Sequence, residues 1–128
     1  ASVEAQDYQK SAPMDVVALH GHAEALKVLV ESGASVEAQD DDKVTPMHFA
    51  ADQGHAAALK VLVEAGASVE AQDDKKWTPM HVAADQGHAA ALKVLVEAAG
   101  ASVDAQTDEK STPMHFAAVK GHAEALKV

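Results

Sequence analysis

Cysteine and arginine are absent from this sequence of 128 residues, and only 3% of the residues are aromatic. Without cysteine, the protein has no disulfide, no thiolate zinc site and no thiol nucleophile. Because aromatic side chains are few, the core must consist mainly of alanine, valine and leucine, which suits closely packed helices. No apolar run approaches the roughly 18 residues of a membrane-spanning helix, so we expect no membrane association.

Positive charge is also scarce. The lysines number ten, against twenty aspartates and glutamates, which gives a formal net charge of -10 with neutral histidines. Such a chain is repelled by phosphate backbones, and the sequence offers no basic patch, so we expect no nucleic acid partner. The hydrophobic fraction of 48% and the charged fraction of 23% are typical of a folded, soluble protein.

The sequence is organised by an internal repeat. Residues 34–66 and 67–100 are identical apart from one extra alanine and three differing positions. Residues 1–33 and 101–128 follow the same frame, so four units account for the sequence. Repeats of this length are typical of stacked units that bury their apolar faces only against their neighbours. We therefore expect a single domain over residues 1–128, without a linker.

The second unit predicts a hairpin and two helices. Thr45, which a proline follows, is a strong helix start, since threonine caps free N–H groups and proline suits the first turn. Gly54 is expected to end this short helix in a left-handed conformation, and His55 begins a longer helix with an apolar stripe. Gly66 ends that helix. The polar segment 34–43 is expected to form an extended hairpin.

Three recurring motifs resemble those of the ankyrin repeat. The sequence TPMH occupies Thr45–His48 and Thr78–His81, AA-x-x-GH occupies Ala50–His55 and Ala83–His88, and VLVEAGASVEAQD occupies Val61–Asp73. The resemblance covers essentially the whole sequence. It implies an all-α repeat fold, an ankyrin-type solenoid of antiparallel helix pairs with projecting β-hairpin loops. It also implies a non-catalytic protein that binds other proteins.

The sequence departs from the family pattern in its turns and at one helix end. Lysine occupies the position of the usual hairpin glycine at Lys43, Lys76 and Lys110. Because a left-handed lysine costs about 1 kcal/mol, we expect an altered turn. The extra alanine between Glu97 and Gly100 either lengthens a helix end or forms a small bulge.

The outer units are irregular. Ala12 and Asp15 replace the threonine and histidine of the motif, so we expect residues 1–33 to form a degenerate repeat and residues 101–128 a truncated one. Two origins are open: a piece of a natural array, which the irregular first unit favours, or an engineered sequence, which the nearly identical middle units favour. A natural protein of this kind is expected in the cytoplasm or another reducing intracellular compartment.

The eight histidines do not indicate a metal site. Equivalent positions in stacked units lie about 10 Å apart, too far for a shared metal with bonds of about 2 Å. The resemblance instead implies that each TPMH histidine hydrogen-bonds the preceding threonine and a carbonyl of an adjacent hairpin. The residues given this structural role are Thr45, His48, Thr78, His81, Thr112 and His115.

Acidic runs at residues 40–42 and 73–74 allow two interpretations, a calcium loop or a solvated hairpin tip. The spacing lacks the glycine and the distal glutamate of an EF-hand loop, which favours the tip. No nucleophile accompanies these carboxylates as an acid–base pair would require. We therefore predict no catalytic, metal-binding or cofactor-binding residue.

Variation between nearly identical units indicates the contact surface, because differing positions are those that the scaffold leaves free. By resemblance, the hairpin tips and the exposed side of each first helix form a concave surface. Trp77 is expected to contact a partner, the alternative being that it packs against its own hairpin and the neighbouring repeat. Phe49 and Phe116 are expected in the core. The predicted contact residues are Tyr8, Gln9, Ser11, Leu19, His20, Asp41, Asp42, Val44, Asp52, Gln53, Asp74, Lys75, Trp77, Asp85, Gln86, Asp108, Glu109, Ser111, Val119 and Lys120.

We expect a protein partner with a basic or mixed surface, which the hairpin acids attract in a salt-sensitive manner. The chain is expected to be a monomer. The alternative is a structural array that stacks end to end through the last repeat and has no dedicated partner. Sedimentation distinguishes the two.

Overall fold

The computed structural model describes residues 16–18, 20–98, 100–102, 104–119 and 123–127, and this part of the chain is helical, with no β-strand. Residues 16–18 are helical, and a π-helical turn at Val94–Ala98 continues α5. The α-helices are α1 (Ala23–Glu31), α2 (Pro46–Gln53), α3 (Ala56–Glu64), α4 (Pro79–Gln86), α5 (Ala89–Lys93), α6 (Pro113–Val119) and α7 (Ala123–Leu126).

The helices form two layers. The first helices of successive units, α2, α4 and α6, pack side by side, and the second helices α1, α3, α5 and α7 pack alongside one another. Within a unit, each first helix contacts the second helix that follows it. This arrangement confirms the predicted all-α solenoid of stacked helix pairs. No helix in the described part of the chain has the length and apolar character needed to cross a bilayer.

Each first helix of the two middle units begins and ends as its sequence predicts. Thr45 is extended, with φ -103°, and its side chain accepts a hydrogen bond from the main-chain N–H of His48. The proline that follows has no main-chain N–H, and this costs nothing because an N–H at the first helical position has no partner within the helix. Gly54 ends α2 at φ 73°, in the left-handed region. The same pattern recurs in α4, between Thr78 and Gly87.

The core consists of small and aliphatic side chains. Met47, Leu59, Leu62 and Met80 are fully buried or nearly so, and alanines fill the spaces between the helices. Methionine at the two TPMH positions packs as an aliphatic side chain of similar volume to leucine. The low aromatic content thus corresponds to helices that lie close together.

The turns between units place a lysine in the left-handed region and still form a regular hairpin loop. The expectation that lysine alters the turn is therefore wrong. Lys43 has φ 65°, and its N–H donates to the carbonyl of Asp40 while the Asp40 N–H donates to Val44. This is a three-residue hairpin loop in which a left-handed residue closes the turn. The side-chain Oδ1 of Asp40 also accepts the N–H groups of Asp42 and Val44, both at 2.9 Å. These bonds offset the steric cost of the lysine.

The extra alanine is accommodated as a bulge. In the two preceding units, the N–H of Ala34 donates to Leu29 and the N–H of Ala67 donates to Leu62. In the third unit, the N–H of Ala101 donates to Leu95, one residue further back in the chain. The π-helical turn Val94–Ala98 takes up that residue, so the chain resumes its register. Of the two alternatives, the structure shows the bulge.

Candidate functional site

The turn tips form a continuous row because main-chain hydrogen bonds join each turn to the next. The N–H of Asp74 donates to the carbonyl of Asp42 at 3.0 Å, and the N–H of Asp108 donates to Lys75 at 3.1 Å. The side chains of all four residues, and of Asp41 and Glu109, are exposed. The row therefore presents charged side chains at a spacing that the backbone fixes.

Behind the tips lies a second row of half-buried side chains, Val44, Trp77 and Ser111, each one residue before a helix-capping threonine. The Trp77 ring packs against Phe116 of the next unit, with ring centroids 4.4 Å apart, and lies 6.2 Å from the His81 ring. Trp77 thus packs against the neighbouring repeat, as one of the two interpretations held, and it also lines a surface cleft.

Neither Phe49 nor Phe116 lies inside the core, which corrects the expectation for both, although Phe49 packs against the buried cluster. Each is half-buried, because the buried stripe of a first helix runs through the positions of Met47 and the two alanines of the motif. Phe49 instead lines a cleft of about 150 Å³ between units, together with Val44 and Val82. Phe49 against Val82 is one of the three differences between the middle units, so this variation was the signal that the position faces a surface.

The ends of the first helices provide the third part of the surface. Asp52 Oδ2 accepts from Gln53 Nε2 at 2.9 Å, and its Oδ1 accepts from Gln86 Nε2 of the next unit at 3.3 Å. Asp85 is half-buried at the equivalent position of α4. Val119 occupies that position in α6 and is 68% exposed. The same position thus presents two carboxylates and one aliphatic side chain.

We call these three rows the groove surface. His20, at the position of Gln53 in the first unit, is exposed and stacks on His22 with ring centroids 6.0 Å apart. Tyr8, Gln9, Ser11, Leu19 and Lys120 lie outside the described residues. The groove surface comprises Asp41, Asp42, Val44, Phe49, Asp52, Gln53, Asp74, Lys75, Trp77, Val82, Asp85, Gln86, Asp108, Glu109, Ser111, Phe116 and Val119.

The charge of the groove surface is negative. The residues of the groove surface include seven carboxylates and one lysine, which leaves an excess of six negative charges. The acids are Asp41, Asp42, Asp52, Asp74, Asp85, Asp108 and Glu109, and the lysine is Lys75. A surface of this sign attracts cationic groups and repels anions.

A cleft of the groove surface lies between the turns at residues 73–76 and 107–110. It has a volume of about 520 Å³ and is lined by Asp73, Lys75, Trp77, Thr107, Asp108 and Glu109. Asp73 Oδ1 accepts the N–H groups of Lys75 and Trp77, at 2.8 and 2.9 Å. In the next turn, Thr107 Oγ1 replaces this carboxylate as the acceptor. The cleft therefore has walls that hydrogen bonds hold in place.

Two buried histidines position the elements that carry this surface. His48 Nδ1 accepts from the N–H of Thr45 at 3.2 Å, so Nε2 carries the proton and donates to the carbonyl of Trp77 at 2.7 Å. His81 repeats this pattern with Thr78, and its Nε2 donates to the carbonyls of Ala105 and Ser111.

Burial lowers the pKa of His48 and of His81 below the ordinary value, and the bonds to carbonyls only partly oppose this effect. Both rings are therefore neutral at pH 7. His115, at the same position of the last unit, is exposed, and its main-chain N–H donates to Thr112 Oγ1 at 3.4 Å. The bonds of the buried pair hold each first helix against the following turn.

Sequence reasoning missed a second set of links between units. The carboxylate of Glu37 accepts the N–H of Ser68 at 2.9 Å, and Glu70 accepts the N–H of Ser102 at 2.7 Å. The glutamate recurs at one position of the repeat, and this recurrence was the available signal. Within the described ranges, no three histidine, cysteine or acidic side chains cluster as metal ligands would.

The comparison with protein families gives a match over almost the whole chain. The matching family is described as Ankyrin repeats (3 copies), and its profile matches residues 2–73 and, in a second alignment, residues 69–128. No curated protein matches the sequence.

Proposed function

The chain belongs to the ankyrin repeat family, and from this premise we propose that it is a non-catalytic module that binds a protein partner through the groove surface. Ankyrin repeats are generally protein–protein interaction modules, and the family is typically non-enzymatic. The proposal for this chain concerns which face makes the contact and which chemistry the partner presents.

The observation that carries the proposal is where the two nearly identical units differ. Asp42 against Lys75, Val44 against Trp77 and Phe49 against Val82 are the three differing positions. The first is an exposed turn tip, and the second and third line the clefts of the groove surface. A scaffold that is constant except along one face is what a repeat protein needs to present a specific contact surface.

The acid–base groups near the surface support a binding role rather than a catalytic one. Asp40 and Asp73 use an oxygen each to hold their turns, and His48 and His81 are buried with both ring nitrogens bonded. These groups maintain the shape of the surface. The groups that remain on it are aromatic and aliphatic side chains and exposed charges, which are the components of a protein interface.

The partner presents a basic or mixed surface. The six excess negative charges of the groove surface accelerate encounter with a cationic partner at low ionic strength. Because exposed charges are screened over about 8 Å at physiological salt, the association rate falls as salt is added. An association rate that is independent of ionic strength would contradict this part of the proposal.

The test is capture of partners from a cell extract by the immobilised chain, with variants that separate the two faces. Trp77→Ala removes the central aromatic residue of the groove surface, and Asp74→Lys reverses the charge of an exposed tip. Glu64→Lys makes the same charge reversal on α3, in the other layer of helices, and serves as the control.

A protein that binds the unchanged chain and the Glu64→Lys control, but is lost with Trp77→Ala and Asp74→Lys, supports the proposal. Circular dichroism establishes that each variant keeps its helices. If every captured protein binds all four chains equally, the groove surface is not the contact site.

A further inference from the structure

The cleft between the turns at residues 73–76 and 107–110 differs from the equivalent place one unit earlier. Its aromatic wall is Trp77, where the preceding unit has Val44. Its other walls include Asp73, Asp108 and Glu109. An aromatic ring and carboxylates that line one cleft are the elements of a site for an organic cation.

The backbone of Trp77 is fixed on both sides of its side chain. Its N–H donates to Asp73 Oδ1 at 2.9 Å, and its carbonyl accepts from His48 Nε2 at 2.7 Å. The ring packs on Phe116, with centroids 4.4 Å apart. A residue held by two hydrogen bonds and a ring contact loses little conformational entropy when a ligand packs against it.

The facing turn is fixed as well. The N–H of Asp108 donates to the carbonyl of Lys75 at 3.1 Å, so the acidic tip keeps its position relative to the wall that carries Trp77. The carboxylates of Asp108 and Glu109 are exposed. One cation, Lys75, also lines the cleft and weakens its attraction for a second cation.

We propose that this cleft binds an arginine side chain of the partner, with the guanidinium against the Trp77 ring and paired with the carboxylates of Asp108 and Glu109. The proposal rests on the proposed function and names the chemistry that its surface recognises. Arginine fits better than lysine, because a guanidinium stacks on an indole and donates to carboxylates through a planar fork. The cleft volume of about 520 Å³ leaves room for the whole side chain.

The first experiment uses three capped pentapeptides, Gly-Gly-X-Gly-Gly, in which X is arginine, lysine or citrulline. Citrulline has nearly the shape of arginine without its charge. Trp77 is the single tryptophan of the sequence, so its indole N–H resonance reports binding at this cleft. We expect a saturable shift with the arginine peptide, and affinities about threefold weaker with lysine and at least about tenfold weaker with citrulline. Equal affinities for arginine and citrulline, or for arginine and lysine, would overturn the assignment.

The second experiment uses variants of the cleft walls with the arginine peptide. Asp108→Asn combined with Glu109→Gln is expected to weaken binding about tenfold, and Lys75→Asp to strengthen it about threefold. Asp41→Asn combined with Asp42→Asn removes the same charge from another turn tip and is the matched control, with a change below about twofold. If the control weakens binding as much as the cleft variant, the attraction is a general effect of negative charge and the site is wrong.

The two proposals fail in different ways. If a captured partner depends on the groove surface but the arginine peptide causes no saturable shift of Trp77, the arginine site is wrong and the binding module remains. If the arginine peptide binds the cleft but no captured protein responds to Trp77→Ala or Asp74→Lys, the proposed function is wrong and the cation site remains.

Discussion

His48 donates a hydrogen bond through Nε2 to the main-chain carbonyl of Trp77, at 2.7 Å and across 29 residues of sequence. The same ring accepts from the N–H of Thr45, which caps α2. One buried side chain therefore fixes the start of a helix and the following turn of the next unit. Because Trp77 is the aromatic residue of the cleft between the turns at residues 73–76 and 107–110, the bond that stabilises the stack also positions the candidate binding site.

We expect His81→Ala to lower the free energy of unfolding by about 1–3 kcal/mol, because it leaves the partly buried carbonyls of Ala105 and Ser111 without the donor that the ring supplies. His115→Ala is the matched control, since His115 occupies the same repeat position and is exposed. Its effect should stay below about 0.5 kcal/mol. Urea unfolding followed by circular dichroism measures both, and equal effects would show that His81 is not a structural residue.

Stability should fall as the pH decreases below about 6.5, the pKa of histidine in the unfolded chain. Burial lowers the pKa of His48 and His81 in the folded chain, so the unfolded chain takes up protons first as acid is added. By linkage, the free energy of unfolding is highest above pH 6.5 and decreases until the folded-state pKa values are reached.

Urea unfolding at pH 7.5 and pH 5.5 measures this decrease, in a range where the carboxylates contribute little because their ordinary pKa values lie near 4. A variant with His48→Gln and His81→Gln is less stable at both values but should lose less stability between them. An unchanged pH dependence in that variant would assign the effect to other histidines.

The fold could be predicted from the sequence because each unit contains the residues that start and end its helices. Thr45, the proline after it, and Gly54 fix the limits of α2 by local chemistry, and the repeat extends the same limits to α4. The stacking of the helices followed from apolar faces that a single unit cannot cover. These features depend on neighbours in sequence or on the repeat itself, so the sequence alone predicts them.

The candidate site was less accessible from sequence because it depends on contacts between units. Phe116 was expected in the core, yet it packs on Trp77 at the surface, a contact set by the stacking of two units. The left-handed turn at Lys43 was expected to change, yet side-chain bonds from Asp40 hold it. In both cases the deciding interaction is one that the repeat pattern does not encode as a motif.

Lys43→Gly is expected to raise the free energy of unfolding by about 1 kcal/mol, since Lys43 has φ 65° and glycine adopts that conformation without the steric cost of a Cβ. Lys60→Gly, an exposed position inside α3, should lower it by about 1 kcal/mol because glycine is a poor helix former. Thermal and urea unfolding of both variants should give opposite signs. A loss of stability in Lys43→Gly would mean that the lysine side chain itself stabilises the turn.

Gly54→Ala is expected to destabilise the chain for two reasons. Gly54 has φ 73°, and an added Cβ would lie 2.7 Å from Cγ of His88 in the next unit. That ring cannot retreat freely, because its Nε2 donates to the carbonyl of Asp52 at 2.9 Å. Gly66→Ala separates the two causes, since Gly66 has φ 87° but a Cβ there would meet no atom within 4 Å.

The loss in Gly66→Ala should be about 1 kcal/mol, the cost of a left-handed alanine, and the loss in Gly54→Ala should exceed it by at least about 1 kcal/mol. The double variant with Gly54→Ala and His88→Ala removes the ring, so its total loss should fall short of the sum of the two single losses by about 1 kcal/mol. Urea unfolding of the unchanged chain, of Gly54→Ala, of His88→Ala and of the double variant completes the cycle, and Gly66→Ala is measured beside them. Strictly additive losses would show that the His88 ring moves aside at no cost, and that Gly54 is required only for its backbone conformation.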